Sequence, residues 1–191
     1  MALTMLQLCA RALVKVGAAP VASLDDGSAE AEIAGLLYDT TRDALLSAHP
    51  WSFATAQQRL SRLATVPLAD FDHAFALPAD FLRVLSVGEA GSGRGRGVAY
   101  RIQERRLHGN AESITLTYVF RADTSACPPF FDDVLVARLA AEFCLPLTEN
   151  TARTEAMQRA AEVAFARARM IDGQQQTPQA LEDFTLIAAR N

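Results

Sequence analysis

Residues able to do chemistry are sparse in this chain, and their spacing does not bring them together. A nucleophile elbow needs G-x-S-x-G, a phosphate cradle needs a P-loop or a G-x-G-x-x-G between strand and helix, and a zinc protease needs H-E-x-x-H. None of these strings occurs. Gly91, Gly93, Gly95 and Gly97 alternate with other residues, a spacing that suits a loop better than a cradle. His49, His73 and His108 have no partner one helical turn away, so they form no zinc pair and read as surface or capping residues. Cys9, Cys127 and Cys144 are odd in number and lack a C-x-x-C spacing, which indicates neither a disulfide framework nor a thiolate site. Neither Cys127 nor Cys144 has a base in an obvious sequence relation to it, and all three cysteines read as small buried apolar residues. The paired carboxylates Asp25-Asp26 and Asp132-Asp133 fall at turns or helix starts, where capping accounts for them. The sequence therefore predicts no catalytic, cofactor-binding or metal-binding residue, and a protein that is not an enzyme.

The elements that carry these residues belong to an ordinary folded domain. The chain has 191 residues, 50% hydrophobic and 21% charged, with a net charge of −4. Such a chain buries enough surface to offset the entropy of ordering, roughly 70% of what its unfolded form exposes. Lys15 is the only lysine among 18 basic residues, an arginine bias that high-GC codon usage or planar contacts between proteins would both produce. Mild acidity disfavours general nucleic-acid binding. The N-terminal residues lack the regions of a signal peptide, and no apolar run reaches about 18 residues, so a cytosolic protein without a membrane span is expected.

Apolar residues three or four apart predict a helix over 3–16, stopped by Gly17, and a second from a Ser28 cap to His49, ended by Pro50. Between Phe53 and Cys127 the period turns to alternation, with strands expected at 73–77, 81–87, 98–106 and 112–121. Residues 88–97 read as a flexible hairpin loop carrying Arg94 and Arg96, and His108-Gly109-Asn110 as a turn between the last two strands. Helix returns at Pro128-Pro129 and is closed by Pro146; another runs from Asn150 or Thr151 to about Ile171, with Ala156, Ala160, Ala164 and Ala168 as a narrow packing stripe. Residues 173–178 form a polar linker before a tail bearing Leu181, Phe184, Leu186 and Ile187. The expected fold is mainly α with a β insertion (α+β): a small antiparallel helical bundle in two parts, 1–53 and 127–172, an inserted antiparallel β domain at 54–126, and an extended C-terminal linker and docking tail at 173–191.

The order of these segments carries a resemblance. Ser23-Leu24-Asp25-Asp26-Gly27-Ser28, then Tyr38-Asp39-Thr40-Thr41-Arg42-Asp43-Ala44-Leu45-Leu46, then His49-Pro50-Trp51-Ser52-Phe53-Ala54 resemble the N-terminal signature of head-to-tail adaptor proteins of tailed bacteriophages. That family includes the tail tubular protein A group and the adaptors of gene transfer agents. Leu77-Pro78-Ala79-Asp80-Phe81-Leu82-Arg83-Val84, Tyr118-Val119-Phe120-Arg121-Ala122-Asp123 and Pro129-Phe130-Phe131-Asp132-Asp133 look like its later landmarks, so the likeness spans about residues 5–147. H-P-W-x-F is the most specific block.

The resemblance implies a structural virion protein that forms a ring, typically twelvefold, beneath the portal. The ring joins portal to tail or stopper protein and continues the channel through which double-stranded DNA passes without specific binding. It would assemble in the bacterial cytoplasm and end at the head-tail junction of the virion. A ring contact is heterologous and needs two complementary surfaces. Tyr38 and Arg42 share one helix face with Asp39 and Asp43 beside it, either a pairing surface between neighbours or a solvated face. Trp51 and Phe53, two apart in an extended segment, would both point into the junction of bundle and insertion as core anchors. Arg94, Arg96 and the tail residues Leu181, Phe184, Leu186 and Ile187 are the positions assigned to neighbouring proteins. The alternative is a soluble bacterial enzyme or ligand-binding domain with a pocket between bundle and insertion. A DNA-binding helical domain would need a basic face that the charge balance does not suggest.

Overall fold

The computed structural model describes residues 3–89 and 97–175. Arg94, Arg96, Leu181, Phe184, Leu186 and Ile187 lie outside the described residues.

Among the described residues, four helices form where the caps direct them. Helix α1 (Met5–Val16) starts from a capping box that the apolar period does not reveal: the Gln7 backbone N–H donates to the Thr4 hydroxyl, and the Thr4 N–H donates to the Gln7 side chain (2.9 Å). Gly17, at φ 83°, closes it in the left-handed conformation that glycine adopts without strain. Helix α2 (Ala29–Ala48) takes its cap from Ser28, which accepts from the Ala31 N–H (3.2 Å), and stops before Pro50 as expected. Helix α3 (Pro129–Thr148) begins at a proline, and α4 (Thr151–Gly173) is capped by Asn150, which accepts from the Arg153 N–H (2.9 Å). Pro146 does not close α3. A proline in the last turn removes a single N–H; the helix continues to Thr148, whose hydroxyl donates to the Cys144 carbonyl (2.6 Å), and ends at Glu149 with φ 51°.

Helix α3 is buried over most of its circumference, leaving Asp133, Arg138 and Glu142 less covered, and occupies the centre, with α1, α2 and α4 packed on it. The short Glu149-Asn150 connection makes α3 and α4 antiparallel. On α4 the buried line runs through Thr154, Ala161 and Ala168, seven apart, ending on Asp172. Ala156 and Ala160 are exposed, because a helix of 3.6 residues per turn drifts away from a stripe spaced by four.

Among the described residues, six strands form two antiparallel three-stranded sheets between α2 and α3. Strands β1 (Thr55–Arg59), β6 (Ile114–Phe120) and β3 (Phe81–Glu89) make one, in the order β1-β6-β3; β2 (His73–Ala76), β5 (Arg106–Gly109) and β4 (Tyr100–Gln103) make the other, in the order β2-β5-β4. Two expectations are corrected. The span 98–106 is not one strand: Glu104 and Arg105, both in the left-handed region (φ 50° and 57°), turn the chain between β4 and β5. His108 and Gly109 therefore belong to β5 and not to a turn. Strands β3 and β4 pair with different partners, β6 and β5, and most of the expected hairpin loop at 88–97 lies outside the described residues.

Alternation on β6 sends Ile114, Leu116 and Tyr118 into a second core with Leu60, Phe75, Val87 and Leu107. Val119, on the other face, enters the bundle core beside Trp51 and Phe131. The two sheets are joined along both margins, by the Arg62–Phe75 bridge and by the Val98 N–H to the Val87 carbonyl (3.1 Å). The described architecture is α+β, with the β unit inserted into the helical one and sharing its core.

Candidate functional site

Two of the blocks that carry the resemblance form contact clusters beside the entry and the exit of the insertion. The first is built on Trp51, which is 0% exposed and donates its indole N–H to the Leu45 carbonyl at the end of α2 (3.0 Å). Its ring meets His49 and Phe131 edge-on (4.8 and 5.3 Å between centroids), with Phe53, Phe130 and Phe165 around it. The segment after Trp51 is a 3₁₀ turn (Ser52–Ala54) and not extended, because the Ala54 N–H returns to the Trp51 carbonyl (3.1 Å). Trp51 and Phe53 nevertheless converge on one cluster. These rings pack the end of α2 and the turn before β1 against α3 and α4.

Asp172, on the last turn of α4, locks this joint from outside. Its carboxyl accepts from the Ser52 backbone N–H (3.1 Å) and the Ser52 hydroxyl (2.7 Å) and lies 3.4 Å from His49 Nε2. Partial burial lowers the His49 pKa, and the nearby Asp172 offsets this only in part. The predicted helix end near Ile171 stops one residue short of this group, and an aspartate at a helix end carries no sequence signal of its partners.

The second joint uses Tyr38, Arg42 and Asp43. Tyr38 is buried and its hydroxyl bonds the Thr124 hydroxyl (3.0 Å), past the end of β6. Burial pushes its pKa up. Arg42 lies over the Tyr38 ring (5.5 Å) and pairs with Asp39 (3.1 Å) and Asp43 (3.2 Å); Asp43 also pairs with Arg121. Tyr38 and Arg42 are thus consumed inside the chain, where they tie α2 to the exit of the insertion, and do not form a free pairing surface. Tyr38→Phe removes one hydroxyl pair and is expected to lower stability by about 1 kcal/mol in urea titration.

Groups with latent reactivity are held inert or apart. The three cysteines are buried and free, and burial pushes Cys9 up to about 11 and Cys127 up to about 12, far from a thiolate nucleophile. Asp26 accepts from the Ser28 hydroxyl and N–H, which holds its carboxyl below the usual range and closes the turn that leads into the Ser28 cap. His73 lies 3.4 Å from Glu112. Among the described residues no cluster of three or more His, Cys, Asp or Glu is placed to hold a metal ion, and no helix is long and apolar enough to cross a membrane.

Asp132 departs from its expected capping role. It is 6% exposed in the first turn of α3, and its Oδ1 has no hydrogen-bond partner. Burial raises its pKa to about 6; Arg11 opposes the rise and Asp133 adds to it. Because the folded value lies above the unfolded one, the neutral carboxyl's contribution is complete below about pH 4 and is lost as the pH rises through about 6. Asp132→Asn is therefore expected to hold its melting temperature between pH 5 and 7.5 better than the parent chain, by about 2–4 °C or about 1 kcal/mol. Parallel curves in differential scanning calorimetry would refute this assignment.

No protein-family model matches this chain, and no curated protein matches it significantly.

Proposed function

We propose that this protein is a structural component of a tailed-phage virion or gene transfer agent, a ring-forming adaptor between portal and tail. One observation carries the reading: two of the three blocks that resemble the N-terminal adaptor signature, Tyr38 to Leu46 and His49 to Ala54, make the contacts that tie α2 to the exit of the insertion and seat the segment leading into it on α3 and α4. The third, Ser23 to Ser28, is a largely exposed turn before α2. A subunit whose insertion is tied down at its entry and exit behaves as a single rigid block, which repetition around an axis requires. The ring then continues the portal channel, and a net charge of −4 suits a wall along which double-stranded DNA slides without being gripped. The segment after Gly173 docks on the portal once it is presented.

Deleting the gene is the direct genetic test. Particles without the protein are expected to stop at DNA-filled heads without tails, restored by the full chain, as seen by electron microscopy. Normally tailed particles in its absence would refute the reading. A variant ending at Gly173 is expected to fail to join portal-bearing heads; normal joining would sink the docking step alone.

A further inference from the structure

The outer faces of α2 and α4 match each other and not themselves. Helix α2 carries Glu30, Glu32, Asp39 and Asp43 against one cation, Arg42. Helix α4 presents Arg159 and Arg167 outward, while Arg153 turns to Gly17 and Arg169 lies over the Phe165 ring (5.6 Å); of its three acids Asp172 is buried, Glu155 pairs with Arg159 (3.7 Å) and Glu162 with Arg138 (2.9 Å). Between them stands α3, with Arg138 and Glu142 lining a groove against α2 on one side and a groove against α4 on the other. The outward faces of α2 and α4 therefore belong to opposite flanks of the bundle.

Each face bears a large exposed apolar side chain with a charge about one turn before it and another about one turn after it. Leu36, 73% exposed, has Glu32 one turn before it and Asp39 one turn after. Val163, 71% exposed, has Arg159 four residues before it and Arg167 four after, with Met170 (63% exposed) beyond. Laid together, Leu36 meets Val163 and the acids meet the arginines. Both faces also carry exposed small residues. Gly35 is exposed in mid-helix, where a Cβ would meet nothing within 4 Å, so no local packing calls for a residue that weakens a helix interior. Ala156 and Ala160 are exposed on α4.

We infer that a second copy of this chain seats its α4 face, Arg159-Val163-Arg167, on the α2 face, Glu32-Gly35-Leu36-Asp39, of its neighbour. The contact is heterologous, so each subunit offers one face to each side, and closure into a ring rests on the adaptor reading above.

The test uses the full chain with Leu36→Cys and Val163→Cys, the native cysteines being buried, treated with a short bismaleimide with and without the portal protein. A ladder of dimers, trimers and larger products from the double variant, and none from either single variant, is the expected result. A dimer from Leu36→Cys alone would mean a self-matching contact and overturn the inference. Charge reversal adds a second arm: Glu32→Arg or Arg167→Glu alone lowers oligomer yield about tenfold, and the two together restore it to within about twofold. Rings on the portal without a ladder would overturn this contact and leave the adaptor reading standing. A ladder without portal binding would support the contact and sink the adaptor reading, and neither would refute both.

Discussion

Trp51→Ala is expected to cost about 3–5 kcal/mol, the range for removing a fully buried large aromatic side chain. The side chain is 0% exposed, and its indole N–H is bonded to the Leu45 carbonyl. Truncation leaves a cavity walled by Phe53, Phe130, Phe131 and Phe165, rings anchored on three separate elements that cannot all collapse inward. Against a total stability of about 5–15 kcal/mol, that loss removes from about a fifth to all of it. In urea titration followed by circular dichroism the midpoint is expected to fall by about 2 M. Trp51→Phe keeps the ring packing and loses the hydrogen bond, so its cost is expected to be about 1–2 kcal/mol. A loss below about 1 kcal/mol for the alanine variant would show that the cluster is not the joint described.

Asp172→Ala is expected to cost about 3 kcal/mol, because the Ser52 N–H and hydroxyl both lose their acceptor in a partly buried place. The pH dependence separates this from simple loss of packing. The His49 value is already below its ordinary one, so its contribution is present above about pH 6.5 and lost as the pH falls through the folded value. Asp172 is what raises His49 against burial. Without it, protonating His49 in the folded state becomes harder, and Asp172→Ala is expected to lose stability more steeply than the parent chain between pH 6.5 and 5. Melting temperatures measured across that window check the sign; an unchanged slope would contradict the assignment. Asp132 acts in the opposite direction over a neighbouring range, so the Asp132→Asn variant distinguishes the two.

What the sequence made legible were the features stated by local chemistry. Ser28, Asn150, Gly17 and Pro50 define helix ends through hydrogen bonds or backbone geometry that each residue type dictates, and the structure follows them. Strand β1 had no such statement: Thr-Ala-Gln-Gln-Arg shows no apolar alternation, and it is a strand because β6 pairs with it along its length. The β4–β5 hairpin was missed for a related reason, since Glu104 and Arg105 take a conformation that Asn or Gly would have signalled. Pro146 was over-read, because a proline costs a helix little when the turn is about to end. At the joints, the identity of Trp51 and Tyr38 was visible from their motifs. Their partners were not: Asp172 is 120 residues from Ser52, and Thr124 is 86 from Tyr38. Only folding brings such pairs together.

The central claim is that this chain is a ring subunit seated on a portal, and native mass measurement tests it most directly. The full chain is weighed alone and after mixing with its cognate portal protein. The expected result is a chain of low order by itself and, with the portal, a single complex carrying about twelve copies of it, one per portal subunit. A chain that stays separate from the portal at micromolar concentration, or binds in scattered numbers without closing, would contradict it.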